Sequence, residues 1–103
     1  MDRIEKLKEF LKKTPDDSFL KYALALEYLK SGEETRALEL LNDLLQNDPD
    51  YVATYYQLGK FWEGKEQRQQ AIQYYVQGLE KAKQQGNRHA ASEYQQALDE
   101  LTD

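Results

Sequence analysis

Leu24-Ala25-Leu26-Glu27-Tyr28 and Leu58-Gly59-Lys60-Phe61-Trp62 stand 34 residues apart and carry the same pattern of sizes. A large residue is followed at once by a small one, and an aromatic ring comes four positions after the first. The correspondence continues downstream, where Ala37 returns as Ala71, Leu38 as Ile72, Leu41 as Tyr75 and Leu45 as Leu79. Pro15 returns as Pro49. A fixed period in the range of about 20–50 residues marks stacked supersecondary units. Leu24, Ala25 and Tyr28 share one face of a helix, and Ala37 and Leu41 share one face of the next. A small residue on each helix lets two backbones approach, and larger neighbours fill the space around the crossing. That logic makes Ala25 with Ala37, and Gly59 with Ala71, the expected crossing points. Inside a helix Gly59 costs about 1 kcal/mol relative to alanine, so a packing requirement is the reason to expect it there.

Working outward, the pattern predicts six helices. The first covers residues 2–13, with Ile4, Leu7, Phe10 and Leu11 as its apolar stripe. Thr14-Pro15-Asp16-Asp17 breaks it, because proline disfavours helix at the preceding residue and suits the start of the next. The second runs to about Ser31, where Gly32 can take a left-handed cap. Glu33 and Glu34 place negative charge at the start of the third, complementing its dipole. The third ends before Asp48-Pro49-Asp50. The fourth carries Tyr55 to Trp62 and is expected to stop near Gly64, two residues early relative to Gly32, with Glu66 in the equivalent place. The fifth covers residues 67–85. Asn87 is a good N-cap for the sixth, which puts Ala90, Ala91, Tyr94, Ala97, Leu98 and Leu101 on one face. The sixth leaves the 34-residue register, whereas the first keeps it: Ile4, Leu7, Phe10 and Leu11 precede Leu38, Leu41, Leu44 and Leu45 by that interval. The expected layout is one domain over residues 1–103. It comprises a leading half-repeat helix (2–13), repeats at 16–49 and 50–83, and a capping helix at 87–101.

With 103 residues, 40% hydrophobic and 32% charged, the chain has enough apolar content for a core and too much for a disordered segment. Its net charge of −5 argues against a nucleic-acid backbone as ligand, since that affinity comes from clustered Lys and Arg. The short runs Lys12-Lys13 and Lys81–Lys83 read as solvated helix faces. The absence of cysteine excludes a disulfide framework and thiolate chemistry, and fits a cytoplasmic location. The N-terminal residues alternate charge with apolar side chains, unlike a signal peptide. No run approaches the ~20 apolar residues that span a bilayer, so no membrane partner is expected.

Catalytic and metal motifs are missing as well. His89 stands near the start of the last helix with no Cys and no second His, so neither a histidine-based metal site nor a Ser-His-Asp triad is expected. The carboxylates Asp16, Asp17, Asp48 and Asp50 flank prolines at helix starts, where capping accounts for them. Neither a calcium loop, a glycine-rich phosphate loop nor a nucleophile elbow occurs. The expectation is a protein that is not an enzyme and holds no cofactor.

The period and its residue types resemble the tetratricopeptide repeat, whose unit reads roughly W-x2-L-G-x2-Y, then A-x3-F, then P. The second unit supplies Tyr55-x2-Leu58-Gly59-x2-Trp62 and Ala71-x3-Tyr75, and the first Lys21-x2-Leu24-Ala25-x2-Tyr28, Ala37-x3-Leu41 and Pro49. The resemblance covers roughly residues 3–83. It implies an all-α fold in which antiparallel helix-turn-helix repeats stack as a short right-handed α-solenoid. It also implies a concave groove, lined by the first helix of each unit, that accepts an extended peptide or a short helix. The positions so implied are Phe19, Tyr22, Leu26, Leu29 and Lys30, with Tyr56 and Lys60 among their counterparts one unit on. Family members that clamp the C-terminal carboxylate of heat-shock chaperones use Lys, Asn and Arg there. Tyr22 and Leu26 replace two of these, so such a tail is not expected to bind.

Phe19, Tyr22, Leu26 and Leu29 also form one stripe by spacing alone, at i, i+3, i+7 and i+10. This face is distinct from the one used by Leu24, Ala25 and Tyr28. A helix with two apolar faces is either wholly buried or carries a ligand surface. The sequence reading is therefore a protein-interaction module whose partner-binding residues are Phe19, Tyr22, Leu26, Leu29, Tyr56 and Lys60. Its partner is another protein or peptide, with homodimerisation through the open face of the second helix as the alternative.

Overall fold

A computed structural model of the chain describes residues 2–102. Among them are the helices α1 (Arg3–Lys13), α2 (Ser18–Lys30), α3 (Glu34–Asn47), α4 (Ala53–Gly64), α5 (Arg68–Gln84) and α6 (Arg88–Thr102). The fold is all-α and built of helical repeats. Its packing divides the chain into two compact units, the first ending at Tyr51 and the second starting at Val52. This boundary falls two residues past the expected junction of the repeats.

In the first unit α2 packs against both α1 and α3. Asp2 caps α1 by accepting from the backbone N–H of Glu5, and Asp17 caps α2 by accepting from that of Leu20. Each cap satisfies one of the donors that a helix start leaves open. Leu7, Ala23, Leu24, Tyr28 and Ala37 form the buried cluster, with Ile4, Leu11, Leu20, Leu29 and Leu40 packed around it. Phe10 departs from the expected stripe, being half exposed on α1. Lys21 Nζ meets Asp43 at 2.6 Å, tying the start of α2 to the end of α3.

In the second unit α5 lies against both α4 and α6. The spacing expects Gly59 to meet α5 at Ala71, and the group nearest to it is the ring of Tyr75, one turn further on. A Cβ built on Gly59 would lie 2.3 Å from Tyr75 Cε1, so the glycine clears room for that ring. The same device recurs one helix later, where a Cβ on Gly78 would stand 2.3 Å from Tyr94 Cζ. Both pairs are separated by 16 residues, as are Ala25 and Leu41 at the matching place in the first unit. Helix α5, of 17 residues, thus presents Tyr75 to α4 and Gly78 to α6.

Three turns close the helical hairpins in one way. The N–H groups of Glu33, Gln67 and Asn87 donate to the carbonyls of Tyr28, Trp62 and Ala82, each at 2.9 Å. Those of Gly32, Glu66 and Gly86 donate to Leu29, Glu63 and Lys83. These paired bonds are the Schellman motif, which needs a left-handed residue just past the helix. Gly32 and Gly86 supply it with φ of +80° and +68°, and Glu66 supplies it with φ of +60°. Gly64 therefore ends α4 in helical conformation rather than capping it. Register outranks residue preference at this turn.

Candidate partner-binding face

Helix α2 buries Ala23, Leu24, Ala25 and Tyr28, while Tyr22 and Leu26 stay partly exposed. Phe19, in its first turn, is 63% exposed. Together with Tyr22, Ala23 and Leu26 it lines a hollow of about 410 Å³, rimmed by Arg3 from α1 and by Glu27 and Lys30 from α2. Tyr22 leans its ring on Tyr51, with centroids 5.6 Å apart and planes tilted by 53°. The Tyr51 hydroxyl titrates above its ordinary range, chiefly because burial disfavours the phenolate and secondarily because Tyr22, Asp17 and Asp48 stand near it. Glu27 is held on both sides, by Arg3 Nε and by Lys30 Nζ, each 3.3 Å from the same Oε2. The structure thus brings together three of the four residues of the expected stripe. The fourth, Leu29, packs against the core cluster and is not part of the hollow's lining.

Tyr56 and Lys60, the expected members from the second unit, sit in a different setting. The Tyr56 ring packs on Tyr75 and on Tyr94, at 5.8 and 5.7 Å between centroids. Lys60 Nζ lies over the same ring, 5.5 Å from its centre, a cation–π arrangement. Together with Glu93, Gln96, Ala97 and Glu100 of α6 these two residues line a polar hollow of about 200 Å³. The Tyr75 hydroxyl donates to Glu63 Oε1 at 2.8 Å, and the Tyr94 hydroxyl donates to the carbonyl of Val52. Burial and the carboxylate of Glu63 push Tyr75 far above the usual phenol range. That α6 would reach over Tyr56 was hidden from the sequence reading, because α6 leaves the 34-residue register. The 16-residue spacing of Gly78 and Tyr94 was the signal that could have shown it.

Among the described residues no group of three or more His, Cys, Asp or Glu side chains could hold a metal ion. His89 is exposed, with Nε2 3.2 Å from Glu93 Oε1. No helix among the described residues is long and apolar enough to cross a membrane.

A shared repeat unit, three similar hairpin turns and an interhelical small residue define a class of helical-repeat protein. Comparison with known proteins gives that class its name. The sequence profile of the tetratricopeptide repeat matches residues 1–76, and the chain belongs to this family. It is 34% identical over 90 residues to a TPR repeat-containing protein of Pseudomonas aeruginosa, covering 87% of this chain and 86% of that one. Among solved structures it is similar to a tetratricopeptide repeat domain protein of Salinibacter ruber, with 44% identity and a TM-score of 0.81 over 85% of this chain and 89% of the other. A protein of Bordetella parapertussis matches with 29% identity and a TM-score of 0.82, covering 98% and 88% of the two chains. Tetratricopeptide repeats generally act as protein–protein interaction modules.

Proposed function

We propose that the chain is a non-catalytic interaction module and that the outer face of α2, with Phe19, Tyr22 and Leu26, is where it takes its partner. The observation that carries this reading is the exposure of Phe19 beside a hollow of about 410 Å³. Within this lining Ala23 belongs to the core cluster and Tyr22 rests on Tyr51, while Phe19 projects beside them into solvent. Rigid aromatic side chains bury large areas at small entropic cost, and they recur among the residues that dominate interface energies. Leu29 supports the face from behind through the core cluster, and Tyr56 and Lys60 belong to a separate contact in the second unit.

The test compares capture of binding proteins from source extract by the wild-type chain and by Leu26→Arg, with thermal melts run in parallel. The expected result is a set of proteins lost with the variant at an unchanged melting temperature. Identical capture by a folded Leu26→Arg chain would contradict the assignment.

A further inference from the structure

Helices α2 and α6 are superimposable in sequence when counted from their N-caps, Asp17 and Asn87, each of which accepts from the backbone N–H three residues on. Ala23, Leu26, Glu27 and Lys30, which line the hollow on α2, then correspond to Glu93, Gln96, Ala97 and Glu100 on α6. Their neighbours correspond too. Ile4, Leu7 and Leu11 of α1 stand 68 residues, or two periods, before Ile72, Tyr75 and Leu79 of α5. The pair α1 and α2 in the first unit is therefore the counterpart of the pair α5 and α6 in the second. In the second unit α4 flanks that face: Tyr56 and Lys60, one helical turn apart, line one hollow with Glu93, Gln96, Ala97 and Glu100, and the Tyr56 ring packs on Tyr94.

We infer that the hollow on α2 receives an amphipathic helix from a partner polypeptide, seated as α4 is seated on α6, with an apolar residue and a carboxylate one turn apart. This inference rests on the reading of the α2 face as a docking surface and names its occupant. The charges set the difference from α4. The α6 face presents Glu93 and Glu100, and it meets a lysine. The α2 face presents Arg3 and Lys30 against the single carboxylate of Glu27, which both cations share. One positive charge is left over at the rim, and the carboxylate that complements it belongs where α4 carries Lys60. Ala23 and Leu26 stand where α6 has Glu93 and Gln96, so the remaining lining asks for an apolar anchor rather than a polar one.

The experiment uses the full chain and two fluorescent, hydrocarbon-stapled peptides spanning residues 52–65, one with Lys60 kept and one with Lys60→Glu. Binding is read by fluorescence anisotropy. The Lys60→Glu probe is expected to bind about tenfold tighter than the lysine probe, the margin of one charge-assisted contact, and to lose that margin at high salt. Phe19→Ala should weaken both probes, and Lys30→Glu should reverse their order. Equal binding of the two probes, or binding indifferent to Phe19→Ala and Lys30→Glu in a chain that melts normally, would overturn the inference. So would light scattering that shows a dimer abolished by Phe19→Ala, because the face would then belong to a second copy. If capture from extract still depends on Leu26 while neither probe binds, the docking surface stands and only the acidic-helix occupant fails.

Discussion

Gly59 on α4 and Tyr75 on α5 form a size-compensated pair: the ring of Tyr75 occupies the space where any Cβ at position 59 would lie, 2.3 Å from Cε1. The matching pair in the first unit is Ala25 with Leu41, a larger residue facing a smaller one, and both are fully buried. Two solutions to one crossing therefore coexist in the chain.

Gly59→Ala should destabilise the protein by about 1–3 kcal/mol, the usual cost of overpacking, although alanine is intrinsically the better helix former. The double variant Gly59→Ala/Tyr75→Leu recreates the pair of the first unit and should lose less than the two single variants summed. Urea denaturation of all three chains gives the coupling directly. Strict additivity would show that the two positions do not share a contact.

The turn after α4 offers the opposite sign. Glu66 holds a left-handed backbone at φ +60°, which glycine adopts without steric cost. Glu66→Gly should raise stability by up to about 1 kcal/mol. Gly64→Ala should add about 0.5–1 kcal/mol, since a Cβ there meets no heavy atom within 4 Å and the residue is helical. Melting temperatures rising for both variants would check this pair of effects.

Much of this was legible in the sequence, because register carries it. The 34-residue period placed the first five helices and the buried face of Leu24, Ala25 and Tyr28, and the Asn87 cap marked the sixth. The period also marked position 66 as the counterpart of Gly32. What it missed involves three-dimensional reach. A side chain as long as Tyr75 reaches the neighbouring helix, so Gly59 also has to clear that ring, one turn beyond Ala71. Leu29 shares a helical stripe with Phe19 and Leu26, yet it packs against the core cluster, which depends on what the neighbouring helices place beside it and not on spacing. Spacing also could not show that α6 covers Tyr56 while the corresponding hollow beside Tyr22 remains open.

Alkaline pH should unfold the second unit through Tyr75. Its folded pKa is raised above the ordinary value of 10.0, so the neutral phenol is the form that the fold favours. The stabilisation is complete below pH about 10 and is lost as pH rises from there towards the folded value. Ionisation would set a phenolate beside the carboxylate of Glu63, 2.8 Å from the hydroxyl oxygen. Melting temperatures followed from pH 8 to pH 11.5 should fall at the alkaline end, and less steeply in Tyr75→Phe, which has no proton to lose. Parallel curves for the two chains would remove Tyr75 from the account.

The central claim is that α2 has one face in the core and another kept for a partner, and paired truncations on its two faces test it most directly. Leu24 is 4% exposed and belongs to the buried cluster, whereas Leu26 lines the hollow. Equilibrium urea denaturation of Leu24→Ala should show a loss of about 2–5 kcal/mol, and that of Leu26→Ala less than about 1 kcal/mol. Equal, large losses for both variants would mean that α2 is buried all round, and would contradict the assignment of its outer face to a partner.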